Sequence, residues 1–286
     1  MRSSFRVRLG IFLALVVVLS AIFWWRIIDA GTLAANGGLN VLALMWCPGL
    51  AALLTRLACQ RNLRGQGWGL GRLHALAIAY VLPIGYALPV YGLVWLTGLG
   101  GFTPESWAAG ATMVGAASSP TIGLLMAVTL GVVMSLLSAA GEEIGWRGFL
   151  VPILAEKFDR RATAAISSLI WASWHMPIIL FADYGAATPH WFGIPCFIIM
   201  ILGLGTILAW LRLSSGSLWA ACLLHATHNL FVEGVFDGAT RSLRWTPYVV
   251  GEFGIGLAVT VPLAAWLLTR HWLRGEARLS SDAASA

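Results

Sequence analysis

The stretch TIGLLMAVTLGVVMSLLSAAGEEIGWRG, residues 121–148, decides the fold. Its first eighteen residues carry no charged side chain, and a helix needs about 20 apolar residues to cross the hydrocarbon core of a bilayer. The next ten residues contain two adjacent glutamates and an arginine, Glu142, Glu143 and Arg147. Ionisable groups are costly at membrane depth, so charges at the end of such a run indicate a functional site.

The whole chain has the composition of a membrane protein. Hydrophobic residues make up 59% of it and charged residues 10%, whereas about a quarter of the residues are charged in ordinary soluble domains. Apolar runs of spanning length recur along the sequence. We therefore predict an all-α, polytopic membrane protein with about eight transmembrane helices, near residues 9–28, 37–58, 74–98, 120–143, 162–182, 193–212, 217–236 and 248–270.

The positive charges predict an orientation for these spans. With the N-terminus in the cytoplasm, fifteen of the 18 Lys and Arg residues fall in cytoplasmic segments, as the positive-inside rule requires. An even number of spans then places both termini in the cytoplasm. The net charge of +6 is thereby assigned to the membrane surface, and no nucleic-acid partner is expected. We expect one integral membrane domain over residues 1–286, with a disordered tail over residues 275–286.

Helical spacing separates the roles of the first charged cluster. Neighbouring helical residues diverge by about 100°, so Glu142 and Glu143 cannot share a face. Glu143 and Arg147 stand at i and i+4, the spacing of an intrahelical ion pair. This pair leaves Glu142 directed elsewhere. The alternative is that all three charges mark the water interface.

Two further polar clusters lie inside predicted spans. His175 is in the fifth span, two residues before Pro177, which removes a backbone N–H. His225 and Asn229 share one face of the seventh span at i and i+4, whereas His228 points off that face and is expected to be structural. Their depths are comparable, so we expect spans four, five and seven to enclose one catalytic cavity.

Such a cavity could hydrolyse a carbonyl compound in two ways. A carboxylate assisted by an imidazole can take a proton from water, while a second imidazole and a carboxamide donate hydrogen bonds to the oxyanion. Alternatively, Glu142, His175 and His225 could hold Zn²⁺ or another divalent metal with an open water position. The sequence is compatible with both the metal-dependent and the metal-free mechanism.

The three motifs together resemble one family. The segments EEIGWRGFL, WASWHMP and HATHN, in this order over residues 120–236, resemble the intramembrane endopeptidases of the CAAX protease and bacteriocin-processing (CPBP, or ABI) family, which includes the type II CAAX prenyl proteases. The family's patterns are EExxxR, FxxxH and HxxxN. They fall here on Glu142-Glu143-xxx-Arg147, Trp171-xxx-His175 and His225-xxx-Asn229. Trp171 stands where the family usually has phenylalanine.

The resemblance implies an intramembrane endopeptidase in a bacterial or archaeal cytoplasmic membrane. Glu142 would be the general base, with His175 helping to activate water. His225 and Asn229 would form the oxyanion hole, and the Glu143–Arg147 pair would support the site. The family is also described as metalloproteases. Eukaryotic members remove the C-terminal tripeptide of prenylated CAAX proteins, so the implied partners are the lipid bilayer and a peptide or prenylated-protein substrate.

Two other functions would use the same buried polar groups. A proton- or ion-coupled transporter could hold Glu, His and Asn near the midplane, but the sequence has no inverted repeat and no paired Gly/Pro-interrupted spans. A non-catalytic immunity or binding protein on the same fold would be favoured if one of the four central residues were missing. All four, Glu142, His175, His225 and Asn229, are present.

Overall fold

The computed structural model describes residues 4–108 and 119–284, and from residue 274 onward the backbone alone. Eight long helices form the fold of these residues. They are α1 (Phe5–Ala30), α2 (Leu39–Gln60), α3 (Leu73–Thr97), α4 (Pro120–Leu154), α5 (Arg160–Phe181), α6 (His190–Ser215), α7 (Leu218–Asn229) and α8 (Ile255–Ala284). Two short strands, β1 (Gly101–Phe102) and β2 (Thr240–Arg241), pair antiparallel between the connections that follow α3 and α7.

The eight helices overlap the eight apolar runs of the sequence, although α4 continues to Leu154 and α8 begins only at Ile255. Within the described residues, α1 to α6 are long and apolar enough to cross a membrane. Helix α7 has only twelve α-helical residues and then continues as a π-helix, Leu230–Asp237. The all-α, polytopic membrane fold is confirmed. The backbone of α8 is helical through Ala284, within the stretch for which composition predicts disorder, and that disorder remains a prediction.

The helices pack as a closed ring. Neighbours in contact follow the order α1, α2, α4, α7, α3, α8, α6 and α5, and α5 returns to α1. Helix α7 also packs against α6 across the ring. This arrangement directs one face of α4, α5 and α7 towards a common interior, as the sequence predicts.

Small residues hold α2 tightly against α4, next to the two glutamates. A Cβ on Gly141 would lie 2.7 Å from the carbonyl oxygen of Met45, and one on Gly145 would lie 2.5 Å from Cβ of Pro48. Close backbone approach through small residues is a common way to pack membrane helices. The glutamates between these two glycines are therefore fixed relative to α2.

One end of the ring carries most of the arginines. Arg8 at the start of α1 pairs with Glu156 after α4, at 2.5 Å. Arg212 at the end of α6 donates to the carbonyl of Gly65, in the connection between α2 and α3, at 2.9 Å. The ends that the sequence places in the cytoplasm thus lie together, while the orientation of this end remains a prediction.

Candidate active site

The structure brings the predicted site residues to one cavity of about 570 Å³. Glu142 reaches it from α4, His175 from α5, and His225 and Asn229 from α7. The backbone is π-helical at Trp146–Leu150, which includes Arg147 of the α4 motif, and at Leu230–Asp237, directly after the α7 motif. Such π-helical turns occur frequently at functional sites.

Two indole groups hold the Glu142 carboxylate. The indole N–H of Trp171 donates to Oε2 of Glu142 at 2.6 Å, and that of Trp146 donates to the same oxygen at 3.3 Å. Glu142 is only 2% exposed, yet it lines the cavity. Oε2 is therefore engaged by the protein, and Oε1 is available to a ligand in the cavity.

Glu143 lies behind the cavity wall and joins two other side chains. Its Oε1 accepts from Nη1 of Arg147 at 2.7 Å and faces Nδ1 of His225 at 2.9 Å. Arg147 is 1% exposed, and its guanidinium lies 4.2 Å from the ring centre of Trp171. The sequence-predicted ion pair is present, and it also holds a histidine of the cavity in place.

Hydrogen bonds define which nitrogen each histidine presents. Nδ1 of His175 lies 2.9 Å from the carbonyl oxygen of Trp171, and a carbonyl can only accept, so Nδ1 carries the proton. Nδ1 of His225 likewise donates to Glu143. Within the described residues, Nε2 of either ring has no hydrogen-bond partner. Both Nε2 atoms are therefore available for chemistry in the cavity.

The residues fit a preformed metal centre only in part. An Nδ1–H bonded to a carbonyl or carboxylate is the usual support of a metal-ligating histidine, and both His175 and His225 have one. However, no three His, Cys, Asp or Glu side chains in the described parts of the chain are grouped as a metal-binding set. The metal-ligand set Glu142, His175 and His225 remains a prediction.

A second polar network in the same cavity has no motif in the sequence. Nδ1 of His228 lies 2.6 Å from the hydroxyl of Tyr86, and its Nε2 lies 3.1 Å from Oε1 of Glu252. The hydroxyl of Tyr184 donates to Oε2 of the same carboxylate. Burial, together with the nearby Glu252 carboxylate, raises the pKa of Tyr184 well above its ordinary value, so it remains a donor. With both ring nitrogens bonded, His228 has the contacts of a structural histidine.

Two further carboxylates, Glu233 and Asp237, line the cavity beyond Asn229. Asp237 accepts from the hydroxyl of Tyr91 at 2.6 Å. The spacing in the sequence could have suggested that Glu233 and Asp237 lie near Asn229, because the three residues follow one another at intervals of four. Nothing in the sequence ties Glu252 or Tyr184 to this place, since both lie in connections between helices.

The central part of the chain is similar to known proteins. Residues 124–231 match the family model described as type II CAAX prenyl endopeptidase Rce1-like. The family resemblance is confirmed. A protein named CAAX prenyl protease 2 from Methanococcus maripaludis is 30% identical over 103 residues, which is 34% of this chain and 38% of that protein. The matched residues 124–231 of this chain contain all three motifs.

Proposed function

We propose that this chain is a CAAX-type intramembrane endopeptidase that hydrolyses a peptide bond with an activated water molecule. The observation that carries the proposal is the meeting of Glu142, His175, His225 and Asn229 in one cavity. They come from three helices and are up to 87 positions apart in the sequence, at residues 142 and 229. Membership of the Rce1-like family for the segment that holds them supports the same activity.

Water is activated by Glu142 and His175. Oε2 of Glu142 is occupied by two indole N–H groups, so Oε1 takes the proton. His175 is protonated on Nδ1, and its Nε2 can accept a hydrogen bond from the same water. A base and a second acceptor orient a lone pair of the water towards the substrate carbonyl.

The oxyanion that forms is stabilised by His225 and Asn229. Nε2 of His225 can donate only when the ring is an imidazolium, and the Glu143 carboxylate at Nδ1 stabilises that charged form. The side-chain amide of Asn229 supplies a neutral second donor. Each such donor contributes typically about 2.7–4 kcal/mol to transition-state stabilisation. Glu142 then passes its proton to the leaving amine.

The cavity suits a substrate with an apolar part. Besides the polar residues, its lining includes Trp174, Phe197, Phe253 and several aliphatic side chains. The relative from M. maripaludis is named a CAAX prenyl protease. We therefore propose that the substrate is the C-terminal region of a lipid-modified protein of the CAAX type, or a related peptide that enters from the bilayer.

A cleavage assay with purified full-length protein in detergent tests this function. A farnesylated CAAX peptide and the same peptide without its prenyl group are incubated with the protein, with and without a chelator, and products are identified by mass spectrometry. We expect loss of the C-terminal tripeptide from the farnesylated peptide, in the presence of chelator as well. Absence of cleavage for both peptides would contradict the protease proposal, and equal cleavage of both would contradict the lipid-modified substrate.

A further inference from the structure

A second cavity lies at the arginine-rich end of the ring, away from the site described above. Its volume is about 880 Å³, and its walls are the start of α1, the end of α2, the connection at residues 61–65 and the end of α4. Four arginines line it against a single carboxylate. They are Arg8, Arg56, Arg61 and Arg64, and the carboxylate is Glu156.

The single carboxylate is already engaged. Both oxygens of Glu156 accept from the guanidinium of Arg8, at 3.0 and 2.5 Å. Within residues 4–108 and 119–284, Arg56, Arg61 and Arg64 form no ion pair. The pocket therefore keeps about three uncompensated positive charges.

Arg56 is the most deeply placed of these charges, at 6% exposed. Its guanidinium donates only to neutral acceptors, namely Gln66 Oε1 at 2.5 Å, Gln60 Oε1 at 2.8 Å and the carbonyls of Arg64 and Gly148 at 2.8 and 3.2 Å. These bonds fix the guanidinium but leave its charge uncompensated. A buried charge without a counter-charge is unfavourable, and an anion in the pocket would offset that cost.

Hydrogen bonds fix the backbone of the connection at residues 61–65, which carries the two outer arginines. Arg61 ends α2 in the left-handed conformation, with φ at 55° and its N–H bonded to the carbonyl of Leu57. The side chain of Asn62 accepts from the N–H of Arg64 at 3.0 Å, and the Arg64 carbonyl accepts from Arg56. Both side chains, Arg61 and Arg64, are exposed at the mouth of the pocket.

We propose that this pocket binds a phosphate-bearing anion, and that the phosphate is the headgroup of an anionic phospholipid. Guanidinium groups suit phosphate oxygens because their N–H donors match them in pairs. Basic pockets between membrane helices at the cytoplasmic side bind anionic headgroups. The pocket lies where α1 begins and α2 and α4 end, which is the level of headgroups for helices that span a bilayer.

Lipid binding to purified full-length protein in neutral detergent tests the proposal. The probes are short-chain phosphatidylglycerol, short-chain phosphatidylcholine and inorganic phosphate, and the readout is the rise in apparent Tm with probe concentration. The test variant is Arg61→Ala/Arg64→Ala, since both side chains are exposed. The matched control is Arg6→Ala/Arg72→Ala, which removes two exposed arginines from the same end but outside the pocket.

We expect phosphatidylglycerol, but not phosphatidylcholine, to raise the Tm of the wild type and of the control variant. In the Arg61→Ala/Arg64→Ala variant the apparent dissociation constant should increase by roughly 10- to 100-fold, the effect expected if the two exposed side chains together contribute about one hydrogen bond to a charged group. If inorganic phosphate raises the Tm less than phosphatidylglycerol does, and the two double variants change both responses in the same way, the bound phosphate is that of a lipid headgroup. An equal response to inorganic phosphate assigns the pocket to free phosphate and contradicts the lipid source.

Two outcomes would overturn the site itself. One is an equal loss of response in both double variants, which would indicate general surface charge. The other is the absence of any Tm rise with phosphatidylglycerol and with inorganic phosphate.

Discussion

Replacing Glu143 with alanine should destabilise the protein strongly, because the carboxylate neutralises a buried arginine. Arg147 is 1% exposed and bonded to Glu143 at 2.7 Å, while its Nε and Nη2 have no hydrogen-bond partner among the described residues. After the change, the guanidinium loses its hydrogen-bonded carboxylate and keeps its contact with the Trp171 ring. Removal of one partner of a buried ion pair costs about 3–5 kcal/mol.

The double variant Glu143→Ala/Arg147→Met separates stability from activity. It removes both charges, so most of the lost stability should return. Activity should not return, because His225 has still lost the carboxylate at Nδ1 that orients it. The control is Glu156→Ala, which breaks an ion pair whose carboxylate side chain is 46% exposed and should cost about 0–1 kcal/mol.

The free energy of unfolding is measured by denaturant titration in detergent, followed by tryptophan fluorescence, and turnover is measured on the farnesylated peptide. Two results would refute the claim that Glu143 stabilises the buried charge of Arg147. One is an equal free energy of unfolding for Glu143→Ala and Glu156→Ala, and the other is a double variant that is no more stable than Glu143→Ala. Recovery of turnover in the double variant would contradict the orienting role.

Three other variants test separate parts of the site and its support. Asn229→Ala should lower turnover by roughly 100- to 1000-fold with little effect of chelators; a stoichiometric metal that is lost with activity would contradict this. Trp171→Phe keeps an aromatic side chain but removes the N–H that donates to the catalytic carboxylate, so kcat should fall roughly 10-fold or more at similar KM. Trp219→Phe removes an indole N–H that donates to the carbonyl of Trp68 outside the cavity, and it should not have this effect. Gly141→Ala should destabilise by about 1–3 kcal/mol because its Cβ would overlap α2, whereas Gly10→Ala has open space and should be neutral; equal Tm values for the two would refute the close packing.

The sequence predicts the helices and the motifs because both depend on strong local signals, and it predicts that the motifs meet because they lie at comparable depths in their spans. Apolar runs locate the helices, and an i, i+4 spacing indicates the Glu143–Arg147 pair. The structure adds that Oε1 of Glu143 also holds His225, which lies 82 positions away. No local pattern can give such a contact, since it depends on how α4 packs against α7.

The contacts of Trp171 likewise could not be predicted from a local sequence pattern. Its spacing to His175 predicts only that the ring packs beside the histidine. In the structure its indole N–H donates to Glu142, its carbonyl accepts from His175, and the face of its ring packs against the guanidinium of Arg147. A donor at this position is recognisable only when the acceptor on another helix is known. The same holds for Glu252, which reaches the cavity from a connection between helices.

Turnover of the farnesylated CAAX peptide by Glu142→Gln tests most directly whether this cavity activates water. The amide retains the size of the side chain and can still accept from the two indole groups, but it cannot take a proton from water. We expect product formation to fall to the level of a sample without enzyme, with an apparent Tm equal to that of the wild type. Near-normal turnover by Glu142→Gln would contradict the assignment of Glu142 as the base.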